Sequence, residues 1–294
     1  MTTPATSSLH LPGISSLISL YDGFLLDQWG VLHDGTRAYE GASEALGRMR
    51  DAGKPVIILS NSGRTGEENA LQLAHMGFGR DLYDKVISAG DDARAALRAR
   101  DEPFYRALGK RCLLLAREGE EHLAEGLDLD VVSNVEKADF ILLMTMDAPR
   151  QSLAGWRLLL QRSRALGLPM ICGNPDLHRA SPDGGLQEAP GSVARAYEML
   201  GGRVRYHGKP EPRIYRHSLA TLGLDPSRVL ALGDSLLHDI AGAHAAGIAS
   251  ALIASGIHCA DIEWIAGMPT PESCEVLFQT TGFVPAYVLP SFGW

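Results

Sequence analysis

Gly23-Phe24-Leu25-Leu26-Asp27-Gln28-Trp29-Gly30-Val31-Leu32-His33-Asp34-Gly35 is the stretch on which the fold turns. An apolar run stops at one carboxylate and passes into a loop punctuated by Gly30 and Gly35, as when an α/β protein offers a reactive group at the carboxyl edge of a buried strand. By itself Asp27 reads equally as a helix cap or a turn residue. Three later stretches repeat the pattern and favour the first reading.

Pro55-Val-Ile-Ile-Leu59 is a continuous apolar run, the signature of a strand covered on both faces, and it stops at Ser60-Asn61-Ser62-Gly63-Arg64. Arg228-Val-Leu-Ala-Leu232 ends in Gly233-Asp234-Ser235, with Asp239 close behind. A short strand over 203–206 leads to His207-Gly208-Lys209-Pro210. Between these runs Ala42, Ala45, Leu46 and Met49, and later Tyr215, Leu219 and Leu222, recur at helical spacing. Residues 91–185 form a second alternating series, with helices predicted over 92–100, 118–125 and 151–166 and strands over 111–116, 139–144 and 169–172. In its longest helix Trp156, Leu159, Leu160 and Ser163 share one face, so Trp156 is expected in the core. The expectation is an α/β protein, with a Rossmann-like parallel-sheet core over 1–90 and 186–294 and an inserted α/β cap domain over 91–185.

Composition narrows the functions. The 294 residues, 45% hydrophobic and 21% charged, suffice for a full core, and a net charge of -8 argues against a nucleic-acid binder. Cys112, Cys172, Cys259 and Cys274 are scattered without a C-x-x-C pair, the first basic residue is Arg37, and no apolar run reaches membrane-spanning length. A reduced, cytoplasmic protein without membrane partners is expected. Residues 1–8 read as a frayed tail, and the final ten residues as a tail docked by its aromatics or a contact for a partner.

The ends of parallel strands converge on one crevice, so Asp27, Ser60, Asn61, Lys209, Asp234 and Asp239 are expected to share a site. Acids, a lysine, a hydroxyl and loop N–H groups suit a phosphate dianion with a hard cation. The carboxylates would hold Mg²⁺ through oxygen, while Lys209 and Ser60 take phosphate oxygens. The Gly-rich phosphate loop, the dinucleotide fingerprint and zinc-spaced His/Cys clusters are all missing, which leaves Mg²⁺ as the expected cofactor.

These four stretches, Asp27-x-x-Gly30, Leu59-Ser60-Asn61-Ser62, Gly208-Lys209-Pro210 and Gly233-Asp234-Ser-x-x-x-Asp239, resemble in order the four motifs of the haloacid dehalogenase superfamily. The insertion, with Asn174-Pro175-Asp176 near its end, is similar to the cap of its class IIA phosphatases. The resemblance implies hydrolysis of a small phosphorylated metabolite through an aspartyl-phosphate on Asp27. Ser60, Asn61, Ser62 and Lys209 would bind phosphate, Asn174 and Asp176 the rest of the substrate, and Asp234 with Asp239 the Mg²⁺. Similar proteins also form homodimers through their caps.

One position departs from that pattern. Active phosphatases of the family carry a second Asp two residues after the nucleophile, as acid and then base, where this chain has Trp29. The backbone carbonyl of Trp29 would still reach Mg²⁺, because that role does not depend on the side chain. Losing general acid–base help costs about 10²- to 10⁴-fold, or roughly 3 to 5 kcal/mol, of an acceleration that approaches about 10²¹-fold for phosphate monoesters. The loss favours good leaving groups, and three accounts follow from the sequence: His33 or Asp34 substitutes as acid; the chain is a slow phosphatase or phosphotransferase whose aspartyl-phosphate lives long because no base activates water; or it is a non-catalytic phospholigand-binding pseudophosphatase with Trp29 stacking on the ligand or packing.

Overall fold

The computed structural model describes residues 8–148, 150–180 and 185–294. Gly23–Leu26 is an interior strand of a seven-stranded sheet in the order Leu9–His10, Tyr287–Leu289, Ala249–Ile253, Val229–Gly233, Gly23–Leu26, Val56–Ser60, Lys85–Ser88. Every pairing in it is parallel. Alternate side chains serve opposite faces: Phe24, Leu26 and Ile58 pack with Ala42, Leu46 and Met49, while Leu25, Ile57 and Leu59 pack with Ile214 and Tyr215 of helix Pro212–Leu222. Both faces are therefore buried, which is why the strands read as unbroken apolar runs. Helix Gly66–His75, which follows the Ser60-Asn61-Ser62 turn, starts at a capping box between Thr65 and Glu68.

A second parallel sheet follows the order Val204–Tyr206, Met170–Cys172, Phe140–Leu143, Arg111–Leu115, Asp130–Val131. One face packs on Leu160, Val193 and Tyr197, the other on Ala93, Leu97 and Tyr105. Trp156 lies partly buried against the first of these clusters.

Two expectations change and a third, left between two alternatives, is resolved. Residues 118–125 form only a short 3₁₀ turn, Glu121–Ala124, because Gly119 and Gly126 on either side adopt positive φ. Strand Val204–Tyr206 belongs to the second sheet, and helix Pro190–Met199 packs there through Val193 and Tyr197, whose hydroxyl donates to the Leu168 carbonyl at 2.6 Å. The inserted unit thus extends to 206, past the expected boundary at 185. Finally, Tyr287–Leu289 is a strand inside the large sheet and Phe292 is buried, so the chain end is docked. Of the expected amino-terminal tail, residues 1–7 lie outside the described residues, and Ser8 Oγ donates to the Pro285 carbonyl. No helix among the described residues is long and apolar enough to cross a membrane.

Candidate active site

Strand register brings the chemistry together. Leu26 pairs with Leu232 on one side and Ile58 on the other, so Asp27, Ser60 and Asp234 leave neighbouring strands at the same edge. The Asp27 N–H donates to the Leu232 carbonyl at 2.9 Å. The carboxyl edge of the second sheet lines the same space: Arg117 follows Arg111–Leu115, Thr145 follows Phe140–Leu143, Asn174 and Asp176 follow Met170–Cys172, and Lys209 follows Val204–Tyr206. Lys209 therefore reaches the site from the inserted sheet, not from a core strand. Between the two edges lies a cavity of about 490 Å³, lined by ten of the twelve residues singled out in the sequence: Asp27, Trp29, Ser60, Asn61, Ser62, Asn174, Asp176, Lys209, Asp234 and Asp239.

At its floor the carboxylates of Asp27, Asp234 and Asp239, all buried, offer oxygens within 4.8 Å of one another. Buried Lys209 Nζ donates to Asp27 Oδ1 at 2.6 Å and to Asp239 Oδ1 at 2.7 Å. Asp239 Oδ2 accepts from the Ser235 N–H, and Asp234 Oδ2 from the Ile257 N–H at 2.8 Å. Burial pushes the Asp27 carboxyl up to about 7, with Lys209 pulling against it and Asp239 adding to it. Asp234 is raised well above the usual range by burial and then by Asp27 and Asp239. Burial acts to lower Lys209, but the Asp239 and Asp27 carboxylates outweigh it and hold the ammonium charged. When all three ionise, three carboxylates against one ammonium carry an excess of two negative charges in an oxygen-only donor set; burial opposes that charge and a hard divalent cation would offset it.

Asn61 is a bracket. Its Oδ1 accepts the Lys209 N–H at 2.6 Å, and its Nδ2 donates to Asp176 Oδ1 at 2.7 Å, tying a core strand end to two loops of the inserted unit. Ser60 Oγ accepts from the Ser62 N–H and holds the turn. Asp176 also lies 3.3 Å from His238 Nδ1.

Trp29 is a fixed wall of the cavity. Its ring meets His33 edge-on at 5.5 Å, Arg179 lies 5.7 Å over it, and a Cβ on Gly35 would come within 2.2 Å of it. Neither proposed substitute acid is placed to replace the missing carboxyl. His33 is buried and lowered to about 4 by burial, and its Nδ1 accepts the Gly35 N–H. Asp34 is engaged with Thr36 and Arg37 on the outside of the loop, and neither residue lines the cavity.

The arrangement has known counterparts. A description of haloacid dehalogenase-like hydrolases matches residues 24–130, and a second description of the same kind matches residues 206–272. Human chronophin is 31% identical over 242 residues, covering 80% of this chain and 81% of its own. This chain is a haloacid dehalogenase-like hydrolase. Its inserted α/β unit is of the class IIA phosphatase kind. A solved haloacid dehalogenase-like hydrolase from Brucella suis superposes with a TM-score of 0.82 at 28% identity, covering 96% of this chain and 99% of that one. Glycerol phosphate phosphatase from Mycobacterium tuberculosis, solved in complex with calcium, gives a TM-score of 0.62 at 25% identity, with 82% of this chain and 68% of that one covered.

Sequence reading of this hydrolase missed three cavity-lining arginines, Arg64, Arg117 and Arg179. Arg117 was accessible to the same edge rule that found Asp27, because it sits just beyond the carboxyl end of a buried strand.

Proposed function

We infer that this hydrolase removes phosphate from a small phosphomonoester, with Asp27 as nucleophile and Mg²⁺ as cofactor. One observation carries the reading: the Asp27 carboxylate lies within 4.8 Å of those of Asp234 and Asp239 while the Lys209 ammonium touches it at 2.6 Å. That the mycobacterial relative is a glycerol phosphate phosphatase supports the substrate class. Asp27, Asp234, Asp239 and the Trp29 carbonyl would hold the Mg²⁺, which when bound neutralises phosphate oxygens and charge developing on them.

An Asp27 carboxylate oxygen attacks phosphorus, the phosphorus–oxygen ester bond breaks, and its electron pair leaves on the alcohol oxygen. Water then attacks the aspartyl phosphorus, the phosphorus–oxygen bond to Asp27 breaks and the carboxylate is restored, one water proton staying on phosphate and the other balancing the proton the leaving oxygen takes from solvent. Lys209 and Ser60 draw off negative charge from the phosphoryl oxygens, and Lys209 keeps Asp27 oriented. No carboxyl stands at the Trp29 position to protonate the leaving oxygen. Acyl and aryl phosphates, whose leaving groups need no proton, are therefore favoured over alkyl esters.

Incubation with Mg²⁺ and either acetyl phosphate or p-nitrophenyl phosphate tests this. Phosphate release, or a phosphoryl adduct located on Asp27 by mass spectrometry, is expected, and Asp27→Asn should abolish both. The absence of both turnover and adduct with the two compounds would reduce the chain to a binding protein.

A further inference from the structure

The carboxylate cluster accounts for one end of the cavity, and the other end has the opposite charge. Arg64, Arg117 and Arg179 line it. Arg64 is neutralised, since its Nε and Nη2 donate to Glu120 Oε1 at 2.8 and 2.5 Å. Arg117 and Arg179 form no ion pair among the described residues. Arg117 donates from Nε to the Met146 carbonyl at 3.0 Å. Arg179 donates from Nη2 to Gln187 Oε1 at 3.2 Å and lies over the Trp29 ring.

Both guanidiniums are half-buried. Burial lowers the pKa of each, and neighbouring guanidiniums lower them further, Arg64 acting on Arg117, and Arg117 with Arg64 on Arg179. Glu120, already paired with Arg64, pulls Arg117 the other way, and Asp147 does so for both, each from beyond ion-pair distance. Two partly desolvated cations facing one cavity with no carboxylate within ion-pair distance among the described residues are costly unless an anion completes them, and the planar fork of arginine matches carboxylate and phosphate oxygens.

We propose that Arg117 and Arg179 form a distal subsite that grips a second anionic group, a carboxylate or a second phosphate, at the far end of the phosphomonoester. This rests on the assignment of the Asp27–Lys209 end to the reacting phosphoryl group. Trp29 stands between the two ends, with one face against Arg179, so the indole is the wall along which the substrate's organic part lies. The ammonium of Lys209 is held by Asp27 and Asp239, which leaves the arginines to read the distal charge. The preferred substrate class is then a small metabolite bearing negative groups at both ends.

Two matched pairs test the proposal on the full chain with Mg²⁺: glycerol 3-phosphate against 3-phosphoglycerate, and fructose 6-phosphate against fructose 1,6-bisphosphate. Preference for the doubly anionic member of at least about tenfold in kcat/KM is expected in one pair, and which pair shows it identifies the distal group. Arg179→Gln and Arg117→Gln should each cut that ratio at least about fivefold, mainly through KM, with Arg179→Lys retaining part of it. Because Arg117 also holds the Met146 carbonyl, the Arg179 variants decide the matter if Arg117→Gln does not fold. Binding of the same four compounds to Asp27→Asn, measured calorimetrically with Mg²⁺, requires no turnover. Tighter binding of a doubly anionic compound there supports the subsite even if hydrolysis fails. A ratio near one in both pairs and equal affinities, or a preference indifferent to the Arg179 variants, overturns it. Hydrolysis of p-nitrophenyl phosphate would meanwhile leave the Asp27 assignment standing.

Discussion

A methyl group on Gly30 would stand 2.0 Å from Asp234 Oδ2. The loop after the first long strand thus presses directly on the carboxylate that ends its neighbour, and φ of +83° at Gly30 keeps the loop in that position. Gly30→Ala should therefore displace Asp234 as well as strain the backbone. Gly41 supplies the comparison, with φ of +79° and nothing within 4 Å of the added carbon. Gly41→Ala should lose about 1 kcal/mol of stability and leave metal affinity unchanged. Gly30→Ala should lose more and bind Mg²⁺ at least about tenfold more weakly by calorimetry, as expected when a ligand set is misaligned. Equal behaviour of the two variants would separate Asp234 from the metal.

Trp29→Asp asks whether the missing carboxyl limits the chemistry. Gly35, with φ of +95°, leaves room for an indole that a Cβ would obstruct, so loop and tryptophan are matched and the smaller side chain leaves a gap. Some stability should be lost. Hydrolysis of alkyl phosphates should still rise by at least about tenfold, toward the 10²- to 10⁴-fold typical of general acid–base catalysis, and by more than that of acetyl phosphate, which gains only from the base that activates water. An unaltered alkyl-phosphate rate in a folded, Mg²⁺-binding variant counts against the argument.

His33 sets a pH dependence of stability. Burial lowers it from 6.5 to about 4, so the folded chain holds it neutral while the unfolded chain takes up a proton below pH 6.5. The unfolded state then binds more protons, and stability falls as pH drops from 6.5 toward 4, with a ceiling of ~3 kcal/mol from this one group. His33→Asn, which keeps an acceptor for the Gly35 N–H, should flatten denaturant midpoints across that window. An unchanged slope would assign the acid sensitivity to other groups.

Asp27, Ser60 and Asp234 were legible because buried parallel strands announce themselves as apolar runs and each run ends in a polar residue that lines the cavity. Lys209 was legible as a residue of the same crevice, but its route there was not. Val204–Tyr206 is three partly exposed residues with no apolar run, and its sheet is decided by Tyr197 and Met170, which local spacing does not reveal. Tyr287–Leu289 is equally short, and it lies between Ala249–Ile253 and the distant Leu9–His10. Arg179 stayed hidden for another reason: it sits on an antiparallel hairpin, His178–Ala180 with Leu186–Glu188, inside a stretch that reads as a turn-rich loop. Charge complementarity across a cavity is a property of the assembled sheets, so the pairing of acidic floor with unneutralised arginines had no local signature.

Asn61 gives the sharpest test of how the site is held. It binds the Lys209 backbone with its oxygen and Asp176 with its nitrogen, and Gly208, with φ of +92°, passes so near that a Cβ there would lie 2.5 Å from Asn61 Oδ1. Asn61→Ala leaves the buried Lys209 N–H without its acceptor, a loss of about 1–3 kcal/mol. It also frees the loop that aims the ammonium at Asp27, so kcat should fall at least about tenfold and by more than KM changes, the signature of lost positioning. Asn61→Asp keeps the acceptor but sets two carboxylates against each other at Asp176, and should be the worse variant. Adding Asp176→Asn to it restores a donor–acceptor pair across that contact and should recover part of both kcat and stability. If the double variant is no better than Asn61→Asp alone, the bracket does not transmit order between the sheets, and Lys209 is held by its two ion pairs.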